Sequence, residues 1–122
     1  MELYDAVGGE PVFRALVDKF YEGVALDPIL RPLYPDEDLT AARDRLTLFL
    51  MQYWGGPTTY SDNRGHPRLR MRHATWVIGE RERDAWLRHM HAAVTSIEVS
   101  DQARAAIWEH VERAAYSLVN SP

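Results

Sequence analysis

No cysteine occurs among the 122 residues, which rules out disulfides and thiolate metal sites. The absence is compatible with a reducing cytoplasm, the expected location. No stretch approaches the ~18 consecutive apolar residues of a membrane span, so no membrane partner is expected. The opening run MELYDAVGGE has neither a basic segment nor an apolar one, and no signal peptide is read there. Positive charge is also short. Lys and Arg number 14 against 18 Asp and Glu, for a net charge of -4, which argues against nucleic acid as a bulk partner. Strand-like alternation, internal repeats and low-complexity segments are missing. No serine sits in a G-x-S-x-G turn. Among His66, His73, His89, His91 and His110, no two stand at the i, i+4 spacing that holds one metal on a helix, which argues against a zinc site.

What is present is helical periodicity, read as one all-α domain over residues 1–122 with four main helices and short accessory ones. Glu10-Pro11 opens the first, where proline's missing N–H costs nothing. Phe13, Leu16, Val17, Phe20, Tyr21 and Val24 then give it one apolar face. Asp27-Pro28 caps a short turn that Pro32 and Pro35 keep from extending. Asp36, Glu37 and Asp38 form a helix-start charge cluster, and Asp38 or Thr40 begins the next helix. Ala42, Leu46, Phe49, Leu50 and Tyr53 are expected on its inner face until Gly55-Gly56-Pro57 ends it. A later helix should bury Trp86, Leu87, Met90, Val94 and Ile97. The last, capped by Ser100 or Asp101, should point Ala106, Ile107, His110, Val111, Ala114 and Leu118 inward.

The stretch YWGGPTTYSDNRGHPRLRMRH, from Tyr53 to His73, interrupts this pattern with a polar loop and a short helix bearing Leu69, His73 and Trp76 or Val77 on one side. His73 has two readings on its residues alone. It is a core histidine satisfied by backbone carbonyls, or the single neutral imidazole that ligates haem iron, with Arg72 as a cation for a propionate. Tyr21, Tyr34, Phe49, Trp54 and Trp86 fall on inward faces. Core packing accounts well for Phe49. The O–H and N–H groups of Tyr21, Tyr34 and Trp86 need partners when buried, and three such donors in a small core point to a polar guest.

Several segments carry a family resemblance: YDAVGG near the start, KFYEGV at 19–24, LRPLYPDEDL at 30–39, RLTLFLMQYWGGPTTYSDNRGHPRLRMRH at 45–73, ERDAWLRHMHAAV at 82–94 and the ending AAYSLVNSP. Across nearly its whole length the chain resembles the group II truncated haemoglobins of actinobacteria. The resemblance implies a two-over-two helical sandwich around haem b, with the stretch from Tyr53 to His73 replacing a long proximal helix. It makes His73 the proximal iron ligand, Tyr21 and Tyr34 the two distal tyrosines, and Trp86 the tryptophan that marks the subfamily. Ala42 falls where many globins carry a distal histidine, which implies an open distal route. Leu46, Phe49, Leu50 and Trp54 are implied to line the pocket, with Leu30, Leu33, Leu69 and Ile78 as apolar haem contacts. Tyr60, Arg64, His66 and Arg72 fall on the propionate side and Arg45 on the distal rim. Trp76 replaces a smaller aromatic, a change expected to alter proximal packing but not function.

With one axial histidine, ferrous haem keeps its sixth position open for O2, CO or NO, and ferric haem takes anions or sulfide. Donation from Tyr34 and Trp86, organised by Tyr21, implies slow O2 release. That favours redox chemistry, sensing or scavenging over diffusive carriage. An electron-donating reductase and a second copy of the chain are the further partners considered. Three alternatives compete with plain O2 binding: a peroxidase or NO dioxygenase, a ligand trap or sensor without turnover, and a haem-free helical interaction module.

Overall fold

A computed structural model describes residues 3–34, 38–57, 78–117 and 119. Among them are α1 (Leu3–Ala6), α2 (Glu10–Ala25), a 3-10 turn (Arg31–Leu33), α3 (Thr40–Tyr53), α4 (Glu80–Ser96) and α5 (Asp101–Ser117), with no strand among the described residues. No helix among them is long and apolar enough to cross a membrane.

The core is built on α2, which packs against α3 and α4, while α5 packs on α4. Gly9, at φ 72, turns the chain into α2, and Pro11 occupies the first helical turn. All six expected inward residues, Phe13 through Val24, are buried. Each such apolar side chain contributes about 1.5–3 kcal/mol on leaving water. At the far end, Asp27 Oδ1 accepts the N–H groups of Ile29 at 2.7 Å and Leu30 at 3.2 Å. That Asx-type cap closes the turn leading into the 3-10 segment. Asp38 marks the start of α3 by accepting both the N–H and the hydroxyl of Thr40, at 2.8 and 2.6 Å. Gly55, at φ 96, ends that helix in the left-handed conformation that glycine adopts without strain. Glu82 reaches back to the Gly79 N–H at 2.8 Å to start α4, and Ser100 Oγ accepts the Ala103 N–H at 3.1 Å to start α5.

Three inward faces differ from the expected ones. In α3 the buried residues are Ala42, Thr47, Leu50 and Met51, with Leu46 and Phe49 half-buried and Tyr53 exposed. Thr47 is buried at little cost because its hydroxyl donates to the Arg43 carbonyl at 2.8 Å. In α4 the buried line is Ala85, Met90, Ala93 and Val94, continued by Ile97, while Trp86 and Leu87 are half-buried. Alanines on this face let α4 come close to α2. In α5 the line runs through Ala103, Ile107, His110, Val111 and Ala115, and Ala106 and Ala114 are half-buried. Leu69, Trp76, Val77 and Leu118 lie outside the described residues.

Candidate functional site

Tyr21, near the end of α2, and Tyr34, just after the 3-10 turn, meet edge to face with ring centroids 5.7 Å apart. Their side chains hydrogen-bond. The bond joins the two hydroxyl groups, so one phenol donates to the other. Burial is the larger influence on both and pushes both phenols above the ordinary range, against the opposing pull of the Arg45 cation. Each therefore remains an O–H group at neutral pH, and a phenol that accepts one hydrogen bond still has a proton to donate.

Trp86 joins this pair from α4. Phe20 packs edge-on against Tyr21 at 4.9 Å and against Trp86 at 5.3 Å, so one apolar ring bridges the phenol and the indole. Ala42, Leu50 and Leu30 are buried in the core behind them, and Leu33, Tyr34, Leu46, Phe49, Trp54 and Trp86 are only partly buried against it. Ile78 is buried at the approach to α4. Arg45 is exposed, and its charge reaches the tyrosine pair. The fold thus brings the expected distal residues Tyr21, Tyr34 and Trp86 into one wall, with Ala42 and Leu46 on the adjoining helix. Tyr60, Arg64, His66, Leu69, Arg72 and His73 lie outside the described residues.

A second aromatic group joins the end of α3 to α5. His110 is 6% exposed and stacks on Tyr53 with centroids 3.6 Å apart and planes at 10°. Trp54 meets it edge-on at 5.4 Å. Two buried nitrogens here, Trp54 Nε1 and His110 Nδ1, have no hydrogen-bond partner among the described residues. Burial, helped by the nearby Arg113 charge, lowers the His110 pKa to about 4, so the ring is neutral at pH 7.

Asp27 does more than the capping expected of it. The structure buries its carboxylate at 5% exposure and places Oδ2 against His89 Nε2, with Arg88 Nη2 at 3.2 Å. Burial alone would raise the acid's pKa. The His89 hydrogen bond and the two backbone N–H groups outweigh it and hold the value at about 2. An aspartate directly after a long apolar helix face was the available signal, but its partners are more than sixty residues away.

The bacterial-like globin family model matches residues 2–120. Group 2 truncated hemoglobin YjbI of Bacillus subtilis is 39% identical over 117 residues, covering 96% of this chain and 87% of that protein. The thermostable hemoglobin of the actinobacterium Thermobifida fusca superposes with a TM-score of 0.98 at 58% identity, covering 100% of this chain and 99% of that one. The truncated oxygen-avid haemoglobin of Bacillus subtilis superposes at 0.91 with 38% identity, covering 98% and 100%. The chain belongs to the bacterial-like globin family and is a truncated haemoglobin of group II type with the two-over-two fold. Its cofactor is haem, as the family implies.

The described wall fits such a group. A flat macrocycle needs large apolar side chains that the protein's own core leaves partly open, and Leu33, Leu46, Phe49, Trp54 and Trp86 are of that kind. Beside them the Tyr21–Tyr34 pair keeps its hydroxyl groups protonated.

Proposed function

We propose that this globin binds O2 and related small ligands, releases O2 slowly, and uses Tyr34 and Trp86 as the donors that hold the ligand. When bound, haem would supply an iron centre able to take a diatomic ligand. The remaining chemistry belongs to the chain. The hydrogen bond between Tyr21 and Tyr34 uses one hydroxyl proton, orients the two rings and leaves the other proton, which this reading gives to Tyr34, for the ligand. The Trp86 indole has one donor and no acceptor, so it favours an electron-rich neighbour. Phe20, set between Tyr21 and Trp86, fills the space beside these donors with hydrocarbon, where a hydrogen bond to a charged acceptor is stronger than in water. Ala42 carries no polar atom that competes with them.

The observation that carries this reading is the Tyr21–Tyr34 hydrogen bond within the wall that includes Trp86. The oxygen-avid character of the Bacillus subtilis relative supports it. On the same reading His73 would hold the haem iron, Arg72, Arg64, His66 and Tyr60 would serve the propionate side, and Arg45 would stand at the distal rim. The chain acts as one domain in the cytoplasm, with a reductase supplying electrons. Absorption spectra of the ferric, ferrous and oxygenated protein, with O2 dissociation kinetics, test it. The expected result is a ferrous spectrum with one axial histidine and slow O2 loss. Rapid O2 loss, or a purified protein that takes up no haem, contradicts it.

A further inference from the structure

Asp27 lies where two routes through the fold begin. Along the first, its carboxylate caps the turn through the Ile29 and Leu30 N–H groups, and its own carbonyl accepts the Arg31 N–H at 2.9 Å. The Arg31 carbonyl in turn accepts the Tyr34 N–H at 3.1 Å, and the Arg31 guanidinium returns to the Tyr34 carbonyl at 2.8 Å. Hydrogen bonds thus run without a break from Asp27 to the backbone of Tyr34. Along the second, Asp27 Oδ2 accepts from His89, which stands three residues after Trp86 on α4. Residues three apart on a helix are surface neighbours, so fixing His89 fixes the rotation of α4 at Trp86.

We propose that Asp27 and His89 are positioning residues: one buried carboxylate holds both the turn that carries Tyr34 and the helix face that carries Trp86, and so sets the distance between the two ligand donors. The proposal rests on the reading that Tyr34 and Trp86 hold the ligand. Gly23 supports it independently. A Cβ at that position would land on the His89 imidazole, so the glycine leaves room for the ring to reach Asp27. The Asp27 carboxyl, held at about 2, is fully charged at neutral pH, and its burial excludes the water that would otherwise compete for it. Arg88 adds an ion pair, but its side chain is 63% exposed and contributes little to the geometry.

The test uses the haem-loaded protein and four variants. Asp27→Asn keeps an oxygen for the turn cap and loses the charge facing His89. Gly23→Ala displaces the imidazole while favouring helix. His89→Gln offers an amide nitrogen at nearly the place of Nε2, and His89→Leu offers none. Asp27→Asn, Gly23→Ala and His89→Leu should speed O2 release by roughly three- to tenfold, CO release by less, and shift the C–O stretch of the CO complex. His89→Gln should stay near the parent value. Lower melting temperatures with an unchanged O2-to-CO ratio and an unchanged C–O stretch would overturn the proposal and make the pair a stability contact only. Faster O2 release in Tyr34→Phe and Trp86→Phe but not in Asp27→Asn would overturn it too. Should Tyr34→Phe and Trp86→Phe themselves leave O2 release unchanged, the ligand reading fails. Hydrogen exchange at the Trp86 indole N–H then decides the pair: faster exchange in Asp27→Asn supports it, and equal exchange overturns it.

Discussion

Two aromatic groups of similar make-up lie in this small core, and they handle their polar atoms in opposite ways. Around Tyr21, Tyr34 and Trp86 the phenols are hydrogen-bonded to each other, and a buried carboxylate braces the elements that carry them. Around Tyr53, Trp54 and His110 the rings pack closely, yet Trp54 Nε1 and His110 Nδ1 are buried without a partner among the described residues. An unpaired buried nitrogen costs about 1–3 kcal/mol, so the second group reduces stability where the first does not. Aromatic composition alone does not mark a ligand site. What separates the two groups is whether their buried polar atoms are paired.

The largest expected effect tests whether the first group faces a cofactor at all. His73→Gly should abolish stable haem retention or make it depend on added imidazole. Absorption spectra with and without imidazole check this, and parent-like spectra without it would assign the ligand elsewhere. The next effect belongs to the second group. His110 is neutral in the folded protein with its pKa lowered to about 4, against about 6.5 when unfolded. Its contribution is fully present above pH 6.5 and is lost as pH falls toward 4, because the unfolded chain takes up the proton first. The loss across that window is of order 2–3 kcal/mol. His110→Phe keeps a flat ring for Tyr53 to stack on and removes the titration. Its melting temperature should therefore fall less than the parent's between pH 7.5 and pH 4.5; parallel declines would place the acid sensitivity elsewhere.

The smallest effect sharpens the contrast most. Trp54→Phe removes a buried N–H with no partner among the described residues, a gain of about 1–3 kcal/mol, and gives up part of the ring's apolar contact at similar cost. The net change in stability should therefore be no more than about 1 kcal/mol. O2 release should stay within about twofold of the parent, since no donor to the ligand is lost. Melting curves and stopped-flow measurements read both, and a tenfold change in O2 release would move Trp54 into the ligand-holding group.

How far the sequence disclosed this arrangement depended on the range of the interaction. The inner face of α2 was fully legible, because Pro11 marks its start and its six apolar residues repeat at helical spacing. The helix starts at Asp38 and Ser100 were legible too, since a short oxygen-bearing side chain there meets an N–H only a few residues away. In α4 the expected stripe gave weight to Trp86 and Leu87, whereas the burial is centred on Ala85 and Ala93, whose small size is what permits close packing on α2. Tyr53 was expected inside by spacing and instead stacks on His110 at the surface. Both of those depend on where a neighbouring helix lies, which one helix's periodicity cannot specify. Asp27 is the plainest case: its cap is local and readable, while its contacts with Arg88 and His89 span 61 and 62 residues. The family resemblance grouped Tyr21, Tyr34 and Trp86, and the ring contacts bring the three together through Phe20.

On the proposed reading, hydrogen bonds from the chain, and not steric closure, hold the ligand. Trp86→Phe tests it most directly, because it keeps most of the aromatic bulk and removes the N–H. A hydrogen bond to a charged acceptor is worth about 1.5–3 kcal/mol, so O2 release should accelerate roughly ten- to a hundredfold. CO carries little negative charge on its oxygen, so its release should respond far less. Stopped-flow dissociation of both ligands from the parent and the variant gives the answer: selective acceleration of O2 is the predicted result, and equal acceleration of both, or no change in either, would contradict it.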